Sequence, residues 1–514
     1  MGSSPSRINT ARVDARINAA RTRGALIVDD DGDLVFSEAA IEGAEPFLEQ
    51  RLTPLAKVGV RSVAWCMMWG IAVGKGQPQY WETQRLGKPL NAAISDPTPV
   101  MASGARQAGM EIFGSIRMND THDAFGKPHG RLTYSLKIAH PEWLLGDERQ
   151  KGDFRSTPEA LTWSGLDFEV QQVREDRLWW VRNTAEHYDL DGIDLNFFRM
   201  PWYFKPGRAE EGMPLMTDLV RSARRILDEA AERRGRPMLL GVRVPETVEA
   251  CSRIGLDVAT WLHEGLVDRL LVGGGYIPFT APVEELVALG HANDVPVYPC
   301  INCGAPSGGP DEALRGAASN IYWSGADGIY LWNYQYRDVP MLGYGQPGDP
   351  VYELLKDLGT ASGLRYLDKT FSVENDRVVG PYAVASHSTQ LPVALGDQAL
   401  AAVRSIRLRV GDDVATAHQA GMVAGVSLEL TPTGSALSDI IAVQLNGARL
   451  RPQVETPGPT QGPENPHSYH YDVPPAALIQ GDNAVAVWIE GRTDRSGPSV
   501  TLDEIRVKVN YARE

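Results

Sequence analysis

The chain has 514 residues, a formal net charge of -15 and a hydrophobic content of 43%, which describe a folded protein larger than one ordinary domain. An acidic chain repels nucleic acid and anionic membrane surfaces, so we expect neither as a partner. No apolar run approaches the length of a membrane span, and the first residues lack the apolar segment of a signal peptide. We expect a cytoplasmic protein or, if a leader was removed, a secreted or periplasmic one.

Short apolar segments alternate with helical patterns between residues 25 and 365. In chain order they read GALIVDD, VRSVAWCMMWG, MEIFGSIRMND, DLDGIDLNFFR, PMLLGVRVPE, VDRLLVGGGY, VPVYPCIN and ADGIYLWNY. Each is bounded by Gly, Pro, Asn or Asp, as strands usually are. Eight repeats of strand and helix predict an α/β fold, a closed parallel (β/α)8 TIM barrel. A doubly wound open sheet is the alternative, but no glycine-rich phosphate loop follows the first strand.

The helical period disappears after residue 365. Segments such as SLELTP, IIAVQLNGARL and NAVAVWIEG alternate apolar and polar residues with period two, which predicts an antiparallel β-sandwich. We therefore expect an N-terminal extension at 1–24, a catalytic barrel at 25–365 and an accessory or carbohydrate-binding-like sandwich at 366–514.

Polar side chains lie near the end of the fourth predicted strand, HYDLDGIDLNFFR. With period two, Asp194 and Asn196 face the barrel interior, whereas Ile193 and Leu195 face the surrounding helices. A carboxylate inside a barrel is costly unless it is paired or takes part in chemistry. We predict that Asp194 is a catalytic nucleophile or base, with hydrogen bonding between strands as the structural alternative.

The fifth predicted strand ends in GVRVPE, and Glu246 follows it directly. Glycoside hydrolysis needs two carboxylates, one that attacks or stabilises the sugar centre and one that protonates the leaving oxygen. Because Asp194 and Glu246 follow neighbouring strands, we predict that Glu246 is the general acid. The alternative is that it belongs to the first turn of the next helix.

The third predicted strand ends in SIRMNDTHD, which places Arg117, Asn119, Asp120, His122 and Asp123 where a loop begins. Such a set can bind sugar hydroxyls, pair with a uronic carboxylate or hold a divalent metal. A single His with two Asp is a weak metal pattern, so we expect substrate binding, with neither a metal nor a cofactor. The other predicted substrate-binding residues are Trp65, Asn196, Arg199, Tyr276, Asn302, Trp332 and Asn333, among which the aromatics suit sugar rings and the amides suit hydroxyls.

The chain resembles bacterial proteins called family-10-like glycosyl hydrolases in IRMNDTHD, HYDLDGIDLNFFR, RVPET and GADGIYLWNY. The resemblance covers residues 25–365 and implies a (β/α)8 barrel that hydrolyses glycosidic bonds with carboxylates at the C-terminal ends of its strands. By motif position it supports Asp194 and includes Asn119, Asp120 and His122. Asn196 departs from the pattern, which more usually has aspartate there.

The resemblance does not extend to the glutamates that mark family-ten xylanases, so it does not imply xylanase activity. The sandwich, with LNGARL and NAVAVWIEG, looks like the galactose-binding-like domains appended to such enzymes.

The sequence therefore predicts a glycoside hydrolase that acts on a polysaccharide or oligosaccharide. Two alternatives stay open. A non-catalytic carbohydrate-binding protein with a degenerate barrel is indicated by Asn196, and a metal-dependent lyase or epimerase would use Asp120, His122 and Asp194. The sequence specifies neither the sugar and its linkage nor the oligomeric state.

Overall fold

The computed structural model of the protein describes residues 5–21, 25–30, 43–67, 96–121, 123–124, 134–150, 162–273, 281–302, 311–332, 334, 352–374, 389–395, 404–436, 438–453, 468–492 and 499–512.

Eight parallel strands form a closed barrel in the first part of the chain. They are β1 (Leu26–Asp30), β2 (Ser62–Cys66), β3 (Glu111–Arg117), β4 (Gly192–Asn196), β5 (Leu239–Val244), β6 (Arg269–Val272), β7 (Val297–Asn302) and β8 (Ile329–Trp332). Each strand pairs with the next along the chain, and β8 pairs with β1 to close the barrel. The predicted (β/α)8 architecture is confirmed.

Helices lie between the strands, as the 3.6-residue periodicity predicts. They are α1 (Pro5–Arg21), α2 (Ala44–Arg51), α3 (Thr53–Lys57), α4 (Pro97–Gln107), α5 (Ser135–Ala139), α6 (Gln171–His187), α7 (Ala209–Arg234), α8 (Val248–Arg253), α9 (Val258–His263), α10 (Glu284–Ala292), α11 (Asp311–Trp323) and α12 (Leu354–Leu358). Across the part of the chain that the structure describes, none of the helices is long and apolar enough to cross a membrane.

Burial on both faces explains the nearly continuous apolar strands. Ile27, Ala64, Leu271 and Tyr330 belong to a cluster inside the barrel. The residues that alternate with them belong to the larger core between strands and helices. At the N-terminal end, Ala20 of α1 packs with Phe113 and Leu239, so this helix covers the end of the barrel opposite to the C-terminal strand ends.

Two antiparallel sheets follow the barrel. Their strands are β9 (Lys369–Val373), β10 (Val393–Ala394), β11 (Arg404–Val410), β12 (Val423–Thr433), β13 (Ile440–Leu445), β14 (Ala448–Arg449), β15 (Arg451–Pro452), β16 (Tyr469–Asp472), β17 (Gly481–Gly491) and β18 (Thr501–Tyr511), and helix α13 (Val414–Gln419) lies between β11 and β12. One sheet has the order β10-β18-β12-β16-β15 with β9 beside β18, and the other has the order β11-β17-β13-β14. Apolar residues of both sheets form one core, which confirms the predicted sandwich.

The sandwich packs against α11 of the barrel. Gly411 lies against Ser319, where an added Cβ would come within 2.5 Å of the Ser319 carbonyl oxygen. The Arg409 guanidinium lies 5.0 Å from the ring centroid of Trp323, and its Nε donates to Asp482 at 2.9 Å. These contacts lie beside α11, away from the C-terminal strand ends of the barrel.

Candidate active site

The C-terminal ends of the barrel strands are where enzymes of this architecture build their sites. Four strands end at residues that the sequence predicts as substrate-binding: Arg117, Asn196, Asn302 and Trp332. Outside the described residues lie His122, Tyr276, Asn333 and the side chain of Asn302.

The N-terminal half of the barrel interior contains a group of polar residues, here called the lower layer: Ser62, Glu111, Asp194 and Arg269, all buried. Arg269 donates from Nε to Asp194 Oδ1 at 2.9 Å and from Nη2 to Oδ2 at 2.5 Å. Its Nη1 lies 3.2 Å from Ser62 Oγ and 3.9 Å from Glu111 Oε1. Burial lowers the pKa of Arg269, but Asp194 and Glu111 together with Tyr298 raise it above its usual value. The Arg269 guanidinium thus contacts side chains of the lower layer through all three of its nitrogens.

The two predicted catalytic carboxylates lie at different levels of the barrel. Asp194 is in register with Gly241, against which its Oδ1 packs. Glu246 stands five residues further along, roughly 16 Å for an extended chain. Glu246 lies two residues beyond the end of β5, and its charge acts on the buried thiol of Cys251, whose pKa is raised mainly by burial. This arrangement argues against a cleft that Asp194 and Glu246 share.

Asn119 ties the loop after β3 to two other segments of the backbone. Its Nδ2 donates to the carbonyl oxygens of Leu166 at 3.0 Å and Trp202 at 2.6 Å. Its Oδ1 accepts from the amides of Leu166 at 3.0 Å and Asp120 at 3.2 Å. An amide offers two donor hydrogens and one acceptor oxygen, so all of its hydrogen-bonding groups are occupied by the protein itself. This position stabilises the loop rather than offering an amide to a sugar.

We expect Asn119→Ala to lower the free energy of unfolding by about 2–4 kcal/mol, because buried backbone groups of Leu166 and Trp202 would lose their partners. Chemical denaturation measures the loss. Gln107→Ala, which removes an exposed amide from α4, is the matched control and should change stability by less than about 0.5 kcal/mol. Equal stability of the two variants would contradict this role.

The charged residues of the same loop are also paired. Arg117 Nη1 lies 3.0 Å from Asp120 Oδ2, and Lys137 Nζ donates to Asp123 Oδ1 at 2.9 Å. Ser164 donates to the same Asp123 oxygen at 2.9 Å. Sequence reasoning named the loop residues but missed Lys137 and Ser164, whose spacing along the chain gives no sign of the contact. In the described part of the chain, no group of three or more His, Cys, Asp and Glu residues is arranged to hold a metal ion.

Trp65, predicted to stack on a sugar, lies on the outer side of β2. Its ring is fully buried and packs edge-on against Phe47 of α2, with ring centroids 6.5 Å apart. Its Nε1 donates to Thr98 of α4 at 3.3 Å. Ala64 on the same strand faces the barrel interior instead. Trp65 therefore belongs to the core between barrel and helices, since alternation places it opposite the interior face.

A second polar group lies inside the C-terminal half of the barrel, here called the upper layer: Asp29, Arg243, Cys300, Tyr330 and Trp332. The Arg243 guanidinium lies 5.0 Å from the ring centroid of Tyr330 and 5.3 Å from that of Trp332. Its Nε donates to the Gly273 carbonyl at 3.3 Å, and Nη2 lies 3.8 Å from Cys300 Sγ. Arg243 is completely buried. The upper layer thus surrounds a guanidinium group with aromatic rings.

Two further charged groups lie close to Arg243: Arg199, beside the upper layer, and Asp29, the carboxylate of the upper layer. Arg199 follows β4 in the chain, and its guanidinium lies 5.1 Å from the Trp332 ring centroid. Asp29, buried near the end of β1, acts electrostatically on both Tyr330 and Arg243. Trp332 and Arg199 were predicted as site residues, and the structure brings them together.

Two neighbours of Arg243, Tyr330 and Cys300, are neutral at physiological pH. Burial raises the pKa of the Tyr330 hydroxyl well above its usual value, and the Asp29 charge adds to this. Burial raises the pKa of the Cys300 thiol to about 11, although Arg243 opposes the shift. The acidic side chain that acts on Arg243 is therefore Asp29, whereas Arg199 repels it.

Sequence reasoning missed Asp29 and Arg243. Period two, applied to GALIVDD and to GVRVPE as it was to β4, would have put both in the interior column. The remaining predicted residue on β4, Asn196, is buried, and its Oδ1 accepts from the Phe198 amide at 3.2 Å. It lies in register with Arg243, level with the upper layer.

No family model matches the sequence, and neither does any curated protein. Solved structures of similar fold are glycoside hydrolases of several kinds. They include the alpha-L-fucosidase isoenzyme 2 from Paenibacillus thiaminolyticus, with 12% identity and a TM-score of 0.40 over 65% of this chain and 48% of that one. The chain thus spans about half the length of the fucosidase.

The PgaB (BpsB) glycoside hydrolase domain from Bordetella bronchiseptica has 14% identity and a TM-score of 0.41 over 66% of this chain and 99% of that one. The GH36 alpha-galactosidase AgaA from Geobacillus stearothermophilus has 10% identity and a TM-score of 0.34 over 97% of this chain and 58% of that one. At these values the similarity concerns the fold and says nothing about the chemistry of this chain.

Proposed function

We propose that the protein is a glycoside hydrolase whose site is the upper layer at the C-terminal end of the barrel. The observation that carries the proposal is the buried group of Asp29, Tyr330 and Trp332 beside Arg243. It combines a carboxylate, a flat aromatic ring and strong hydrogen-bond donors, which are the groups that bind and cleave sugars. The resemblance to family-10-like glycosyl hydrolases supports the same reading.

In this proposal Asp29 acts on the sugar centre as nucleophile or base. Glu246, buried just after β5, is the proposed general acid. Asp194, whose two oxygens bind Arg269, stabilises the barrel and takes no part in the chemistry. In this assignment the nucleophile or base is Asp29 on β1 and not Asp194 on β4. The general acid is still Glu246, as the sequence analysis proposed.

A non-catalytic carbohydrate-binding protein is the second candidate. The observation that favours it is on β4, where Asp194 is neutralised by Arg269 and Asn196 stands in place of the usual aspartate. A barrel whose fourth strand carries no available carboxylate can still bind a sugar through its aromatic and charged side chains. This candidate predicts saturable binding without bond cleavage.

A panel of plant, algal and microbial polysaccharides, with neutral and acidic oligosaccharides, separates the two candidates. The hydrolase is expected to release new reducing ends from at least one member of the panel, and Glu246→Gln should slow this release at least about a hundredfold. Calorimetric binding in the absence of any release would instead support the binding protein. Absence of both binding and release across the panel would contradict both candidates.

A further inference from the structure

Arg243 makes fewer hydrogen bonds than its guanidinium group can donate. Its side chain is fully buried, and among the residues that the structure describes its Nη1 has no hydrogen-bond partner. Its other two nitrogens contact a carbonyl oxygen and a weakly accepting thiol sulfur. No described carboxylate lies within ion-pair distance of it. A buried guanidinium without a counterion is strongly unfavourable unless something else supplies the negative charge.

Arg269, a second buried arginine of the same barrel, differs from Arg243 in its partners. It also faces the interior and is buried, yet both of its carboxylate contacts with Asp194 are made and Glu111 lies nearby. The chain thus pairs the lower-layer arginine completely and leaves an N–H group of the upper-layer arginine unused. The two arginines lie at different levels along the barrel axis. Arg243, with the unused N–H group, is nearer the C-terminal end, where substrates enter such barrels.

The surroundings of Arg243 favour an anion. Aromatic rings flank the guanidinium, and Tyr330 and Cys300 are both neutral. Arg199 adds a second positive charge beside the same Trp332 ring. Asp29 is the carboxylate whose charge acts on Arg243, and it also acts on Tyr330. The guanidinium groups of Arg199 and Arg243 thus both lie beside the Trp332 ring, within a chain whose net charge is -15.

We propose that the substrate is an anionic sugar whose oxyanion binds Arg243. The oxyanion is the carboxylate of a uronic acid or a sulfate ester, since a guanidinium binds both through charge-assisted hydrogen bonds. This inference rests on the proposed function for the position of the site, but it concerns recognition and not bond cleavage. The Trp332 ring would lie against the same sugar.

Calorimetric titration of the full chain with galacturonate and glucuronate oligosaccharides, their methyl esters, sulfated oligosaccharides and neutral counterparts tests the proposal. We expect an acidic or sulfated member to bind, and its uncharged counterpart to bind at least about tenfold more weakly. Arg243→Met should weaken binding of the charged ligand by the same factor and leave neutral ligands within about twofold. Equal affinity for charged and uncharged counterparts, or unchanged binding in Arg243→Met, would overturn the proposal.

A stability measurement keeps the test decisive if Arg243→Met were to misfold. We expect Arg243→Met to unfold at the same or a higher denaturant concentration than the parent chain, because it removes a buried charge that lacks a counterion. Arg269→Met is the matched control, and it should unfold at a clearly lower concentration because Asp194 loses its partner. Strong destabilisation by Arg243→Met would show a structural role and overturn the proposal. Selective binding of acidic sugars without hydrolysis would support the proposal while contradicting the hydrolase function.

Discussion

Asp29→Asn is expected to lower the turnover of a cleaved substrate at least about a hundredfold, the lower range of acid–base catalysis. The substitution keeps the shape of the side chain, but it removes the charge needed to attack or to accept a proton. The measurement is the rate of reducing-end release at saturating substrate, accompanied by chemical denaturation.

Asp30→Asn is the matched control for this prediction. Asp30 is the next residue on β1, faces the opposite side of the strand and forms an ion pair with Arg51 of α2. Its replacement should reduce stability and leave turnover per folded molecule within about threefold. Full activity of Asp29→Asn would remove Asp29 from the mechanism, and equal losses of activity in both variants would indicate a general effect of charge on β1.

The architecture of the protein could be predicted because its signals are local. Strands buried on two faces are apolar throughout, helices repeat every 3.6 residues, and the sandwich strands alternate with period two. Each signal is contained within about ten neighbouring residues. For this reason the eight strands of the barrel appear in the order that the segments predicted, and the sandwich follows them.

The candidate site was harder to predict because its contacts are distant along the chain. The Asp194–Arg269 contact joins residues 75 positions apart, and Asn119 binds the Trp202 carbonyl 83 positions away. The neighbouring sequence does not show whether a carboxylate acts on a substrate or forms an ion pair with a distant arginine. Trp65 is a different case, because the alternation that placed Asp194 in the interior also places Trp65 on the outer face.

Asp194→Asn is expected to lower the free energy of unfolding by about 3–5 kcal/mol, the cost of breaking a buried ion pair by removing one partner. The Arg269 guanidinium would lose its charge-assisted hydrogen bonds to Asp194 and keep only the Ser62 contact and the more distant Glu111 carboxylate, 3.9 Å away. Chemical denaturation measures the loss. The double variant Asp194→Leu with Arg269→Met removes the whole pair, and we expect it to recover part of the lost stability, because apolar side chains replace the pair while the Glu111 carboxylate loses its guanidinium neighbour.

Asp194→Asn also distinguishes a structural role of Asp194 from a catalytic one. If Asp194 only balances Arg269, the folded fraction of Asp194→Asn should keep its turnover within about threefold, and the double variant should remain active. If Asp194 is instead the catalytic carboxylate that the DGIDLN pattern suggested, turnover falls at least about a hundredfold while stability changes little. We expect the first result, because a carboxylate whose two oxygens already accept from one guanidinium would have to break a desolvated ion pair before it could reach a sugar.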